Sequence, residues 1–99
     1  MSASTTLNQL KMLEADLRAK GVSALYLFGS VARGESGPGS DIDLSFDIAP
    51  DTKFSIFDQA QIMCDLTEAL GTKVDLVPRR ALHPFIRAKI EAEQIKVFG

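Results

Sequence analysis

The chain has 99 residues, 45% of them hydrophobic and 24% charged, a composition typical of a folded domain and not of a disordered chain. The formal net charge of −2 argues against the broad basic surface of a DNA-binding protein, so we expect no DNA partner. One cysteine excludes an internal disulfide and fits a reducing cytoplasm. Since no run approaches about 20 apolar residues and no signal-peptide pattern is present, we expect a soluble cytoplasmic protein, a single domain over residues 1–99, without a membrane contact.

The first predicted element is an amphipathic helix over residues 6–20. Four leucines recur there at helical spacing, which predicts one apolar face that covers the core. They are Leu7, Leu10, Leu13 and Leu17. Thr6 and Gln9 have the spacing of a capping box, and Gly21 supplies the end of the helix.

Two predicted strands follow, separated by a glycine-rich passage. Residues 24–29 read ALYLFG, a short apolar run typical of a buried central strand. Next comes SVARGESGPGS, in which residues 30–34 can form one helical turn and the remainder has loop composition. Residues 41–48 read DIDLSFDI and alternate strictly, which predicts a half-buried strand with a polar outer face. That face carries Asp41, Asp43, Ser45 and Asp47.

The longest predicted helix follows Ser55, which can cap it, and ends at Leu70 before Gly71. Its apolar residues predict an inner stripe directed at the core. The stripe comprises Phe57, Ala60, Met63, Cys64, Leu66, Thr67 and Leu70. The single cysteine, Cys64, is therefore expected to be a core residue.

The C-terminal part predicts a strand, a helix and a short last strand. Residues 73–77 read KVDLV, and Asp75 faces away from its apolar neighbours. A helix is expected over residues 84–93, begun by a proline, and IKVF predicts a strand over residues 95–98. Together the elements predict an α/β (α+β) fold with a short mixed sheet flanked by helices. In that sheet we expect the two acidic strands to form a hairpin-like pair.

Four further side chains are interpreted as structural or solvent-exposed. Tyr26 lies within the buried strand and is expected to be structural, and Asp47 continues the alternation as a surface residue. Arg79 and Arg80 follow the second acidic strand and are interpreted as a solvated loop pair. Their alternative role is the attraction of a nucleotide or of an acidic partner.

Two carboxylates are close enough to share a cation. Asp41 and Asp43 project from the same strand face, with Cα atoms about 6.6 Å apart at about 3.3 Å per residue. Magnesium prefers oxygen ligands and commonly takes one or two protein carboxylates. Asp75 would join them if its strand lies alongside, and three acids could hold two ions about 3.5–4 Å apart. The alternative for the pair alone is the ordinary solvated face of a strand.

The passage before these acids begins with Gly29 and Ser30. A turn between a buried strand and a helical segment presents backbone N–H groups that bind phosphate oxygens. Gly29 permits close approach, the Ser30 hydroxyl adds a donor, and Arg33 can contact a phosphate. The alternatives are a plain strand-to-helix turn and, for Arg33, a surface ion pair with Glu35.

The joint spacing of these features carries more information than any one of them. Gly29-Ser30 is followed after ten residues by Asp41-x-Asp43 and later by Asp75, within the motifs FGSVARGE and SDIDL. This pattern resembles the signature of the polymerase-β-like nucleotidyltransferase superfamily. With a chain of about one hundred residues, it is similar to the minimal nucleotidyltransferases of prokaryotes. The resemblance implies a nucleotidyltransferase fold over the whole chain.

The resemblance also implies roles for individual residues. In this family a hydroxyl attacks the α-phosphorus of a nucleoside triphosphate, here expected to be ATP, and pyrophosphate leaves. Two Mg²⁺ ions would be held by the catalytic acids Asp41, Asp43 and Asp75, of which Asp75 would also help to deprotonate the acceptor. The nucleotide phosphates would be bound by Gly29, Ser30 and Arg33.

Minimal members of this family commonly pair with a helical HEPN-domain toxin. The resemblance implies an antitoxin that transfers AMP to a tyrosine hydroxyl of such a toxin (AMPylation). A binding-only antitoxin, which neutralises the toxin by complex formation without catalysis, is the alternative. Whether the chain forms a homo-oligomer stays open.

Overall fold

A four-stranded mixed sheet in the order β3-β2-β1-β4 forms the centre of the structure, a computed structural model that describes residues 3–35 and 41–99. The strands are β1 (Val22–Phe28), β2 (Ile42–Ile48), β3 (Val74–Pro78) and β4 (Ile95–Phe98). The helices are α1 (Ala3–Lys11), α2 (Glu14–Ala19), α3 (Gly29–Ala32), α4 (Ile56–Leu70) and α5 (Pro84–Glu93), with a 3₁₀ turn over Arg79–Ala81. These elements confirm the predicted mixed sheet flanked by helices.

The strand directions place the two acidic strands side by side in parallel. β1 is antiparallel to β2 and to β4, whereas β2 and β3 are parallel. The prediction that β2 and β3 form a hairpin-like pair is therefore wrong. The physical reason is that α4 connects the two strands, and a crossover helix returns the chain to the same end of the sheet.

The core lies on one face of this sheet, beneath α1, α2 and α4. Alternate strand residues point into it, as the pleat requires. The fully buried strand residues include Leu25, Leu27, Ile42, Leu44, Phe46 and Val74. The predicted apolar face of the N-terminal helix is confirmed: Leu10 and Leu17 are buried, and Leu7 and Leu13 pack against the core.

The N-terminal helix differs from its prediction in two respects. It is divided into α1 and α2, with a break at Met12 and Leu13. The predicted capping box is wrong, because α1 starts at Ala3 and Thr6 is completely buried within it. No helix in residues 3–35 or 41–99 has the length and apolar character needed to cross a membrane.

Helix α4 has the predicted ends and a narrower buried face than predicted. Ser55 and Asp58 form a capping box, and Gly71 ends the helix at φ +68°. The buried residues are Ile62, Leu66 and Leu70, spaced four apart. Phe57 is 81% exposed and Cys64 is exposed, so their assignment to the core is wrong. The buried residues of α4 form a narrower line than the stripe of an average amphipathic helix, with Met63 packed against the core beside it, so other apolar residues of α4 stay outside the core.

Helix α5 is attached to the sheet through polar contacts and has no buried residue. Arg79 is the anchor: its guanidinium donates to Asp47 Oδ2 at 2.8 Å, to the Tyr26 hydroxyl at 3.2 Å and to Glu91 Oε1 of α5 at 3.0 Å. It also lies 4.6 Å from the centre of the Tyr26 ring. The solvated role predicted for Arg79 and the surface role predicted for Asp47 are thus wrong, and the structural role of Tyr26 is confirmed.

We expect Arg79→Gln to loosen α5 without unfolding the sheet. The Arg79 side chain is 17% exposed, and its charge-assisted hydrogen bonds join β1, β2 and α5. The Arg87 side chain is 44% exposed, and its one ion pair is with the Glu91 oxygen that Arg79 also contacts. Hydrogen exchange of the α5 amides should accelerate about tenfold in Arg79→Gln. The matched control Arg87→Gln should change it by less than about threefold. Equal acceleration in both variants would contradict the anchoring role.

Candidate active site

The turn between β1 and α3 packs directly against an acidic side chain. Gly29 has φ +78°, a region that L-residues rarely adopt. A Cβ atom at this position would overlap the carboxylate of Asp43. Gly29 therefore provides both the backbone conformation and the space that this contact requires, and Ser30 follows it as the second residue of α3.

Parallel pairing of β2 and β3 brings two of the predicted acids together. Asp43 and Asp75 are direct partners across the strands, and neighbouring strands are about 4.8 Å apart. On its other side, Asp43 is paired with Phe28, the residue before Gly29. Across the sheet, the order is therefore the glycine turn, Asp43 and Asp75. The expected proximity of Asp75 to the acidic pair is confirmed for Asp43.

The third predicted acid is more exposed than the other two. Asp41 precedes β2, its side chain is 45% exposed, and Lys73 Nζ lies 3.9 Å from Asp41 Oδ2. Within residues 3–35 and 41–99, no group of three or more His, Cys, Asp or Glu side chains is arranged to hold a metal ion. The metal-binding role of Asp41, Asp43 and Asp75 stays a prediction.

The electrostatics of Asp43 fit a site for a divalent cation. Burial raises the pKa of the Asp43 carboxyl, and the negative charges of Asp75 and Asp41 raise it further. The positive charge of Arg33 opposes this shift in pKa but does not cancel it. A cation between Asp43 and Asp75 would relieve the like-charge repulsion, and carboxylate oxygens are suitable ligands for Mg²⁺.

Arg33 is held by carboxylates on two sides. Its Nε donates to Glu35 Oε2 at 2.9 Å, and its Nη1 donates to Glu93 Oε2 at 3.0 Å. The ion pair with Glu35, the alternative considered from the sequence, is therefore present. Exposed ion pairs of this kind are weak, so a phosphate could replace either carboxylate. The contact of Arg33 with a nucleotide stays a prediction.

Sequence reasoning missed two residues at this site, Lys73 and Glu93. Glu93 is 60 residues from Arg33 along the chain, and no local pattern links the two. Lys73 lies directly before β3 and approaches Asp41 because β2 and β3 are parallel. Its proximity could have been inferred from a parallel arrangement, but the hairpin-like assignment obscured it.

Two glycine substitutions separate backbone strain from the contact with Asp43. Gly34 has φ +73° and open space around an added Cβ, so Gly34→Ala is the matched control for Gly29→Ala. We expect Gly34→Ala to lower the free energy of unfolding by about 1–2 kcal/mol, the cost of the left-handed conformation. Gly29→Ala should cost about 1–3 kcal/mol more because of the overlap with Asp43. Equal losses in urea denaturation would contradict the close packing of Gly29 on Asp43.

Because the pKa of Asp43 is raised, replacing Asp43 with the neutral asparagine should stabilise the fold, by an amount that depends on pH. The folded state binds the Asp43 proton more tightly than the unfolded state, so stability falls as the pH rises through the raised pKa. In metal-free buffer, Asp43→Asn should melt at a higher temperature than the unsubstituted protein at pH 7. The difference should shrink as the pH falls toward 3.8, the ordinary pKa of an aspartate. A difference that does not vary with pH would contradict this origin.

Most of the chain is similar to proteins of one family. The family described as "Nucleotidyltransferase domain" matches residues 10–97. A protein of Methanocaldococcus jannaschii, provisionally named a protein adenylyltransferase, is 35% identical over 77 residues, which cover 77% of each chain.

Solved structures agree with this match. A structure provisionally described as a minimal nucleotidyltransferase superposes with a TM-score of 0.81 at 30% identity, over 96% of this chain and 95% of the other. The same fold occurs in a complex of a tri-AMPylated Shewanella oneidensis HEPN toxin with an MNT antitoxin. There the TM-score is 0.70 and the identity 21%, over 98% of this chain and 72% of the matched one. The glycine turn against Asp43, the adjacent Asp75 and these matches lead to one conclusion: the chain belongs to the nucleotidyltransferase domain family and is a minimal nucleotidyltransferase.

Proposed function

We propose that this nucleotidyltransferase transfers AMP from ATP to a tyrosine hydroxyl of a HEPN-type toxin and acts as its antitoxin. The observation that carries the proposal is the order across the sheet, with Gly29 packed against Asp43 and Asp75 on the opposite side. Two comparisons support it: the M. jannaschii relative is provisionally named a protein adenylyltransferase, and a structural neighbour is an antitoxin bound to an AMPylated HEPN toxin.

The proposed roles follow from the position of each group. Gly29, Ser30 and Arg33 would bind the β- and γ-phosphates of ATP, Arg33 by exchanging a carboxylate partner for a phosphate oxygen. One or two Mg²⁺ ions held by Asp41, Asp43 and Asp75 would supply neutralisation of the phosphate charge. Catalysis of this kind depends mainly on positioning and electrostatic stabilisation, so it needs no histidine base.

Asp75 is the proposed acceptor of the hydroxyl proton. The hydroxyl oxygen forms a bond to the α-phosphorus, the bond from that phosphorus to the bridging oxygen breaks, and pyrophosphate leaves with the electron pair. The proton passes to the Asp75 carboxylate, which is half-buried and lies next to Asp43. Burial raises the pKa of Asp43, and the negative charge of Asp75 raises it further.

The proposed partner is a protein in the cytoplasm. The net charge of −2 gives no electrostatic reason for DNA binding. A protein is the proposed acceptor because the M. jannaschii relative is provisionally named a protein adenylyltransferase and a structural neighbour is bound to an AMPylated toxin. Localisation in the cytoplasm follows from the single cysteine and from the expected toxin target.

Loss of one carboxylate tests the catalytic proposal. We expect Asp43→Asn to reduce transfer of labelled AMP from ATP to the HEPN-type partner on the order of 10³-fold while the fold is retained, because a central charge is lost. Asp51→Asn is the matched control: it makes the same chemical change in the exposed turn after β2, where an asparagine also accepts the φ of +60°. Equal rates for Asp43→Asn and the unsubstituted protein would contradict catalysis at this site.

Binding without catalysis is the second candidate. It is favoured by the structural neighbour in which an MNT antitoxin lies in a complex with a HEPN toxin, because complex formation can neutralise a toxin by itself. Co-expression with the toxin distinguishes the two mechanisms. If Asp43→Asn rescues growth as well as the unsubstituted protein does, neutralisation by binding is supported and the catalytic antitoxin is contradicted. Loss of rescue, with the complex still formed, supports catalysis.

A further inference from the structure

A groove of about 360 Å³ lies beside the candidate active site, between α4 and the start of β3. We call it the α4–β3 groove. Its lining residues include Met63, Cys64 and Thr67 of α4, together with Val74 and the predicted catalytic acid Asp75. The surface of the groove is mainly apolar, and Glu68 and Lys73 add charged groups. None of the proposed catalytic roles uses this groove as a binding surface, although it shares Lys73 and Asp75 with the site.

The groove is suited to a side chain and not to an added β-strand. β3 is at the edge of the sheet, where outward backbone groups could pair with another chain. Side chains of α4 already occupy two of these groups: the Val74 N–H donates to Thr67 Oγ1 at 3.2 Å, and Gln59 Nε2 donates to the Leu76 carbonyl at 2.9 Å. An occupant must therefore use the apolar walls.

The strand order determines the direction from which an acceptor approaches. In an in-line displacement, the attacking oxygen and the leaving pyrophosphate lie on opposite sides of the α-phosphorus. The proposed phosphate-binding residue Gly29 lies on the β1 side of Asp43, and Asp75 lies on the β3 side. An acceptor hydroxyl must then arrive from the β3 side, where the α4–β3 groove lies.

The chemistry of the groove selects among hydroxyl-bearing side chains. Serine and threonine are too short to use apolar walls and also reach a neighbouring carboxylate. A tyrosine has a flat apolar ring that a thioether such as Met63 contacts favourably, and a hydroxyl at its far end. We propose that the α4–β3 groove binds the acceptor tyrosine of the partner polypeptide and presents its hydroxyl to Asp75. This inference rests on the proposed AMP transfer, and its bond changes are those given above.

The only cysteine in the sequence provides a specific test, because Cys64 is exposed and lines the groove. A bulky maleimide attached to Cys64 should reduce AMP transfer to the HEPN-type partner about 10²-fold, since small displacements of an acceptor have effects of that size. The affinity for ATP should change by less than about twofold. The partner protein should also slow the reaction of Cys64 with the maleimide. Cys64→Ser is the control for labelling at other residues. In this variant the maleimide should change neither AMP transfer nor the affinity for ATP.

The possible outcomes distinguish failure of the groove assignment from failure of the proposed AMP transfer. Unchanged transfer after complete labelling, or labelling that the partner does not slow, overturns the groove and leaves AMP transfer standing. Weaker ATP binding after labelling also overturns it and assigns the groove to the nucleotide. If the unlabelled protein transfers no AMP, the proposed function fails and the acceptor groove fails with it.

Discussion

The parallel pairing of β2 with β3 is the constraint on which the rest of the site depends. It places Asp43 and Asp75 side by side, although two unit charges about 4 Å apart near a protein surface repel by up to about 4 kcal/mol. The opposite face of the same strands buries Ile42, Leu44 and Val74, each worth about 1.5–3 kcal/mol. Because strand side chains alternate, burying the apolar set necessarily brings the acids together.

One helix links this constraint to the surroundings of the site. α4 joins β2 to β3, and burial of Ile62 and Leu66 fixes the helix against the sheet. The neighbouring residues Met63 and Cys64 then face the groove beside Asp75. The packing of α4 therefore supports β2 and β3 on the face of the sheet opposite the acids. It also forms the apolar α4–β3 groove on the β3 side of Asp43, away from the glycine turn.

Local patterns in the sequence predicted most elements, and contacts between distant segments account for the differences. Alternation over residues 41–48 correctly predicted the half-buried strand that carries Asp43, because alternation is a local property. The predicted order of strand, helix and strand over β2, α4 and β3 already favours parallel strands, but the hairpin-like assignment did not use it, so Lys73 was missed. Arg79 was misassigned because its partners Asp47 and Tyr26 are 32 and 53 residues away. In α4, apolar composition exceeded the single line of residues that packing buries, and Cys64 was placed wrongly.

The most direct test of the site as a whole is a crystal structure with Mg²⁺ and α,β-methylene ATP, an analogue that cannot transfer AMP. We predict that the β- and γ-phosphates lie at Gly29 and Ser30, and the α-phosphate above Asp43. The side of the α-phosphorus opposite its bond to the leaving pyrophosphate should face Asp75 and the α4–β3 groove. Phosphates bound on the Asp75 side, or an adenine ring within the groove, would contradict the proposed arrangement of nucleotide and acceptor.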